Sequence, residues 1–226
     1  WIRLGPISVQ PSEFAKIFFL MSSAYFLSTR DKLFSFVPYV AFAGACAVLL
    51  VAAKELGTGL LFCGTFLILF FAATGRVFLT LFGVGVFGAG ACASYYVFPH
   101  VRTRVEVWLD PWASYNAQGY QIVQGLMALA SGGLFGVGLG NGMPEVIPAS
   151  HTDYIFSVIG EEFGILFAAI VIVFYLVFIV RGMLIALDAR ETYDALLVFG
   201  CTCMLSLQAF IIIGGVIKLI PLTGIT

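Results

Sequence analysis

The sequence predicts an all-α polytopic membrane protein, with about six transmembrane helices and one long loop, and three observations carry that prediction. Apolar side chains make up 61% of the 226 residues and charged ones 10%, against roughly 25% charged in an ordinary soluble domain. A soluble chain of this length has too small a core to hide that much apolar surface, so lipid is the solvent the composition fits. Several charge-free stretches approach or exceed the ~20 residues that cross a bilayer, and one connection rich in Gly, Pro and aromatic residues interrupts them.

The first helix is expected at 11–29, where Pro11 suits a first turn because its missing N–H leaves no intrahelical bond unmade. It carries Glu13 and Lys16 near its start and is otherwise mostly apolar. Four further spans are expected at 33–53, 57–75, 77–98 and 195–217, each free of charge. Another is expected at 154–180, around the charge-free run Phe163–Val180. Short turns fall at Arg30–Lys32, Lys54–Leu56 and Gly75–Arg76, and a charged one at Arg181–Asp194.

The long connection covers 99–153. A structureless loop of that length in a compact protein is either functional or disordered. Trp108, Trp112, Tyr115, Tyr120 and the apolar run Ile122–Ala130 favour order. Trp1, Trp108, Trp112, Tyr95 and Tyr96 suit an aromatic belt at the membrane surface. The chain opens on Trp1 with no targeting signal and stops after Pro221–Gly224, so it reads as an internal portion of a longer protein.

Net charge is −1, which excludes a globally basic nucleic-acid binder. Cys46, Cys63, Cys92, Cys201 and Cys203 are odd in number and lie in apolar runs, so free buried thiols are expected rather than disulfides. His100 and His151 have no metal-ligand spacing with each other or with a cysteine. Alternating loops put Arg30, Lys32, Arg76, Arg181 and Arg190 on one side, and Arg3, Lys54, Arg102, Arg104 and Lys218 on the other. The tie leaves orientation open by the positive-inside rule. Basic residues on the outer side suit an anionic ligand or pairing with nearby carboxylates.

Charges at membrane depth are functional candidates by default. Glu13 and Lys16 are three apart on one helix face and can pair; a structural ion pair and a substrate contact both remain open. Lys54-Glu55 sits at a helix junction, where solvated loop charge competes with function. Ser150-His151-Thr152-Asp153 is no hydrolytic triad, since such side chains converge from separated positions. Asp153 stands at the mouth of a long apolar helix, where partial desolvation would make it a better base; an N-cap is the competing role. The stretch Ser131–Gly142 lacks the preceding strand of a dinucleotide loop and is expected to be a flexible or tightly turned connection.

Several motifs fall in one order. Trp1-Ile2-Arg3-Leu4-Gly5-Pro6 precedes Gln10-Pro11-Ser12-Glu13-Phe14-Ala15-Lys16, then Lys54-Glu55-Leu56-Gly57-Thr58. Arg104, Asp110-Pro111, Gly119-Tyr120-Gln121, Ser131-Gly132-Gly133-Leu134 and Gly138-Leu139-Gly140 follow in the loop. His151-Thr152-Asp153-Tyr154-Ile155-Phe156, Gly160-Glu161-Glu162-Phe163-Gly164, Gln208 and Pro221–Ile225 complete the series. This series resembles the SEDS (RodA/FtsW/SpoVE) family of lipid-linked cell-wall glycosyltransferases, with Lys54-Glu55 standing where the family usually has Pro-Asp.

The resemblance implies the fourth to ninth helices of a ten-helix fold in the bacterial cytoplasmic membrane, with 99–153 outside the cell. It implies polymerisation of lipid II into glycan strands for elongation, division or sporulation, in company with a class B penicillin-binding protein. The family's loop aspartate falls on Asp153, the expected general base. Glu13, Lys16, Lys54, Arg102, Arg104, Gln121, His151, Glu161 and Lys218 are the expected substrate-binding residues. No organic cofactor is implied; a divalent cation (Mg or Mn) is a candidate companion of the substrate pyrophosphate. A lipid II transporter and a scaffold for the transpeptidase are the rival readings, and an outer-loop base is what neither of them requires.

Overall fold

The computed structural model describes residues 2–4, 7–29, 37–53 and 55–224. The chain is almost wholly helical and divides into two compact units. One comprises Trp1–Phe87 and Phe178–Leu207, the other Gly88–Val177 and Gln208–Thr226.

The first unit opens on a feature the sequence did not announce. Strands β1 (Ile2–Leu4) and β2 (Ile7–Val9) pair antiparallel, with Ile2 opposite Val9 and Leu4 opposite Ile7. Helix α1 (Pro11–Ser28) starts on Pro11 as the missing N–H predicts, with Glu13 in its first turn. Helices α2 (Val37–Ala52) and α3 (Leu56–Thr74) follow, and α3 ends on Gly75 at φ 64°, whose N–H reaches Phe71 O at 2.8 Å. A residue with a Cβ would strain in that left-handed cap. The expected turn at Arg30–Lys32, the residues 33–36 and Lys54 lie outside the described residues.

The core of this unit gathers Phe19, Leu20, Leu61, Phe62, Leu69 and Met204 from three helices. The Phe19 and Phe62 rings meet at a tilt of 43°, with centroids 4.7 Å apart. Hydroxyls inside these apolar helices bond back to their own backbone, as Ser23 Oγ does to Phe19 O (2.6 Å) and Thr202 Oγ1 to Val198 O (2.8 Å). Lipid offers such groups no other partner.

In chain order α4 (Val77–Val97), α5 (Pro99–Leu109), α6 (Tyr120–Gly132), a 3-10 turn (Pro144–Val146), α7 (Ile155–Asp188) and α8 (Thr192–Val216) complete the fold. Among the described residues, four helical segments are long and apolar enough to cross a membrane: Gly57–Thr74, Val77–Val97, Ile155–Asp188 and Thr192–Val216. Against six expected spans, Val37–Leu50 is apolar but shorter within the described residues, and α1 carries Glu13 and Lys16 in its opening turns.

The long loop is not structureless, since α5 and α6 occupy much of it. Helix α7 runs past the expected end at Val180 to Asp188, because Arg181–Asp188 holds no proline and continues the helix. The charged turn therefore shrinks to the three residues between α7 and α8.

Helix α7 is also broken. Gly164 takes φ 82°, ψ 171°, a conformation open essentially to glycine alone. The 24 residues that follow the break reach about 36 Å, enough for the hydrocarbon core by themselves. Residues 155–163 form a separate half-helix before the break.

Candidate active site

The second unit holds most of the residues singled out in the sequence, several of them near the start of α7. Asp153 lies half-buried immediately before that helix. The N–H of Val158 bonds Tyr154 O at 3.2 Å, so Tyr154 occupies the N-cap and Asp153 the position before it. No described hydrogen bond runs from Asp153 to the helix amides. Asp153 thus stands one residue before the N-cap position.

The turn that presents Asp153 is tight. Ala149 adopts φ 55°, and its carbonyl accepts from the N–H groups of Thr152 (3.2 Å) and Tyr154 (3.3 Å). Gln121 on α6 donates from Nε2 to Pro148 O at 2.9 Å, tying the turn to α6. His151 is exposed, its Nδ1 3.3 Å from Ser150 Oγ.

Burial raises the pKa of Asp153 above the ordinary carboxylate value, while a hydrogen bond from Thr152 and the positive charge of Arg104 pull it back. Arg104 is thus close enough for its charge to act on the Asp153 carboxyl. Its Nη1 donates to Thr223 O at 2.7 Å, which fixes the guanidinium against the chain leaving α8.

That chain is shaped by Lys218. Helix α8 ends with Leu219 N–H on Gly214 O (2.8 Å) and Lys218 N–H on Gly215 O (3.2 Å), the Schellman pattern. Lys218 fills the left-handed position at φ 61°, where glycine is usual. The strain is of order 1–2 kcal/mol. It is offset by contacts at both ends of the residue, since Trp108 Nε1 donates to Lys218 O (3.0 Å) and Lys218 Nζ donates to Leu109 O (3.3 Å). An ammonium at the carboxyl end of α5 is also favoured by the helix dipole. Trp108, expected in an aromatic belt, also serves as a structural donor.

Arg102 points elsewhere. It pairs with Glu106 one turn on, Nε to Oε1 2.7 Å, with both side chains more than half exposed. Such a pair contributes little to stability. Asp110 caps the turn after α5, its Oδ1 accepting the N–H groups of Trp112 (3.1 Å) and Ala113 (3.2 Å).

The Gly-rich stretch is a tightly turned strap laid over the break in α7. Val137 and Gly138 donate to the carbonyls of Glu161 (2.9 Å) and Glu162 (3.0 Å), and Ile165 donates to Gly133 O (2.9 Å). These bonds pair backbone groups that the break leaves without helical partners, a requirement near a membrane. Gly136 and Gly164 both have positive φ and approach so closely that a Cβ on either would strike the other's backbone. Glu161 is buried; its Oε1 accepts Met143 N–H at 3.3 Å, and Glu162 Oε1 accepts Gly140 N–H at 3.2 Å. Glu161 therefore faces the strap, not the open side of the site. Sequence reasoning named Glu162 only alongside Glu161 and passed over Met143 and the carbonyl of Thr223, since a backbone partner leaves no residue-type signal.

Glu13 and Lys16 belong to the other unit. Their ion pair forms at 2.6 Å, with Lys16 buried and Glu13 half-exposed. Glu55 opens α3, its carbonyl accepting from Gly59 N–H at 3.0 Å, and its Oε2 is buried without a partner among the described residues. Among the described residues no three of His, Cys, Asp and Glu converge, and no step below runs through a metal.

Comparison with known proteins places this arrangement. The family model described as "Cell cycle protein" (FtsW, RodA, SpoVE) matches residues 1–226. The chain is 40% identical over 242 aligned positions to peptidoglycan glycosyltransferase RodA of Mycobacterium leprae, covering all of this chain and 52% of the relative. It is 35% identical to stage V sporulation protein E of Bacillus subtilis, covering all of this chain and 64% of the relative.

A solved structure reported as "Structural coordination of polymerization and crosslinking by a peptidoglycan synthase complex" superposes with a TM-score of 0.80 at 25% identity. The match covers 100% of this chain and 65% of that one. The chain thus spans about half to two-thirds of the length of these relatives. With the motifs in order along its whole length and the fold shared, the chain belongs to the FtsW/RodA/SpoVE family of multi-pass membrane proteins.

Proposed function

We propose that this chain forms the catalytic portion of a peptidoglycan glycosyltransferase that polymerises lipid II in the bacterial cytoplasmic membrane, with Asp153 as general base. The observation that carries this reading is a half-buried carboxylate, unused as a helix cap and acted on by the charge of Arg104, at the outer mouth of α7. A transporter or a scaffold has no need of such a group.

In the reaction an acceptor sugar hydroxyl attacks the anomeric carbon of a second lipid-linked disaccharide. The hydroxyl proton passes to Asp153 as the new glycosidic bond forms, and the bond to the lipid pyrophosphate breaks with its electron pair on the departing oxygen. Pyrophosphate leaves as a stable anion, so no second carboxyl is required as acid, unlike glycoside hydrolysis. Cationic groups stabilise the charge that develops on it. Arg104 supplies a cation whose charge reaches the base, and Lys218 holds a second on the neighbouring end of α5. As the anion forms near Arg104 it weakens that residue's pull on the Asp153 carboxylate, which favours proton uptake when it is needed. A single displacement inverts the anomeric centre.

Gln121 supports the turn that carries Asp153, and His151 lies exposed on the same turn. Lys16 and Glu13 suit a role in seating the lipid-linked substrate. The pairing of polymerisation and crosslinking in the structural relative supports a transpeptidase as working partner. The test is incubation of the purified full-length parent protein with lipid II, with analysis of chain length and of linkage configuration. Inverted glycan chains are expected. Transport of labelled lipid II across liposomes with no chains formed would favour the transporter instead.

A further inference from the structure

We propose that Glu161 is a positioning residue that sets the base, acting through the strap rather than on the substrate. The inference rests on the glycosyltransferase reading. Asp153 and Glu161 stand at the two ends of the half-helix before the break, eight residues and about 12 Å apart. Helix α6 runs alongside with almost no clearance. Gly125 lies against Tyr154 and Ser157, and Gly132 against Gly160 and Glu161, where a Cβ on either glycine would overlap its neighbours.

The chain leaves α6 into the strap, crosses the break in α7, and returns through Met143 and the 3-10 turn to the residues that end on Asp153. Met143 N–H on Glu161 Oε1 (3.3 Å) closes that path into a ring. The segment delivering the base is thereby tied to the same half-helix that the base begins. Glu162 adds a second tie at Gly140 (3.2 Å). The fit is close: a Cβ at Gly142 would stand 3.0 Å from Glu161 Oε2 and 3.1 Å from Glu162 Cγ. Buried as it is, Glu161 makes this contact in place of one with substrate. The half-helix is free of the long span at Gly164, so its setting depends on such ties. A displacement of about 1 Å in a catalytic group lowers rates by about 100-fold.

The test uses the full-length parent, Glu161→Ala and Glu161→Gln, with polymerisation kinetics on lipid II and amide hydrogen exchange in nanodiscs. Glu161→Ala is expected to lower kcat about 100-fold with a smaller change in KM, and to speed exchange at 137–143 while α8 stays protected. Glu161→Gln keeps the acceptor oxygen but seats an amide where Oε2 has no partner among the described residues. It is expected to recover at least about tenfold over Ala and most of the exchange protection.

A Gln variant as inactive as Ala, or an Ala variant within about threefold of the parent, overturns the proposal. So does unchanged exchange at 137–143 in Glu161→Ala. A parent that makes no glycan at all sinks the glycosyltransferase reading instead. The exchange comparison then still decides whether Glu161 holds the strap.

Discussion

Asp153 owes its proton affinity to three neighbours: the apolar end of α7 that desolvates it, the Thr152 hydroxyl and the Arg104 cation. Burial prevails, so the folded chain holds this proton more tightly than the unfolded chain does. Between the unfolded and the raised folded pKa the native state binds more protons, and stability falls as pH rises through that window. Asp153→Asn removes the penalty. It is expected to raise the melting temperature near neutral pH and to flatten the fall between acid and neutral pH, as followed by thermal unfolding in detergent across a pH series. Arg104→Ala acts in the opposite electrostatic sense: loss of the cation pushes the Asp153 pKa further up. Polymerisation is expected to drop about 10- to 100-fold, with the acid limb of the rate profile displaced to higher pH. An unshifted limb would mean the two groups do not interact. Asp153 itself was legible because a carboxylate before a long apolar run is conspicuous. The contact that holds Arg104, on Thr223 O, was not, because it runs through backbone.

At the scale of elements, the long spans followed directly from charge-free length, whereas the break in α7 did not. Phe163–Val180 reads as uninterrupted apolar sequence, and a glycine within it gives no sign of a left-handed conformation until the strap is seen against it. The strap was legible only as tightly turned or flexible; its purpose became clear from Val137 and Gly138 donating into α7. Likewise the three-residue strands of the opening hairpin are too short to show an alternating pattern. Gly164→Ala forces a Cβ against Leu134 O and demands a backbone conformation closed to alanine. It is expected to destabilise the fold by at least about 2 kcal/mol, read as a lower midpoint in denaturant or heat. Gly90→Ala, in α4 with nothing within 4 Å of the added methyl, is the matched control and is expected to change stability little or slightly for the better.

For the whole molecule, composition alone decided the solvent, and the ordered series of motifs decided the family. Equal counts of basic residues in the two sets of loops left orientation unresolved, and the resemblance supplied it. The long segment of α7 is long and apolar enough to cross a membrane, so the loop before it and its Asp188 end are expected on opposite faces. In a cysteine-free background, Phe135→Cys is expected to react with a membrane-impermeant maleimide on intact cells, and Arg190→Cys only after permeabilisation. Labelling of both, or the reverse order, would overturn the assigned topology.

The central claim is that Asp153 accepts the proton in glycan polymerisation. Its most direct test is the rate of lipid II polymerisation by the full-length parent and by Asp153→Asn, an isosteric change that removes the base. The account predicts a correctly folded variant, at least as stable as the parent, that forms no measurable glycan while the parent forms inverted chains. Polymerisation by Asp153→Asn at the parental rate would contradict it.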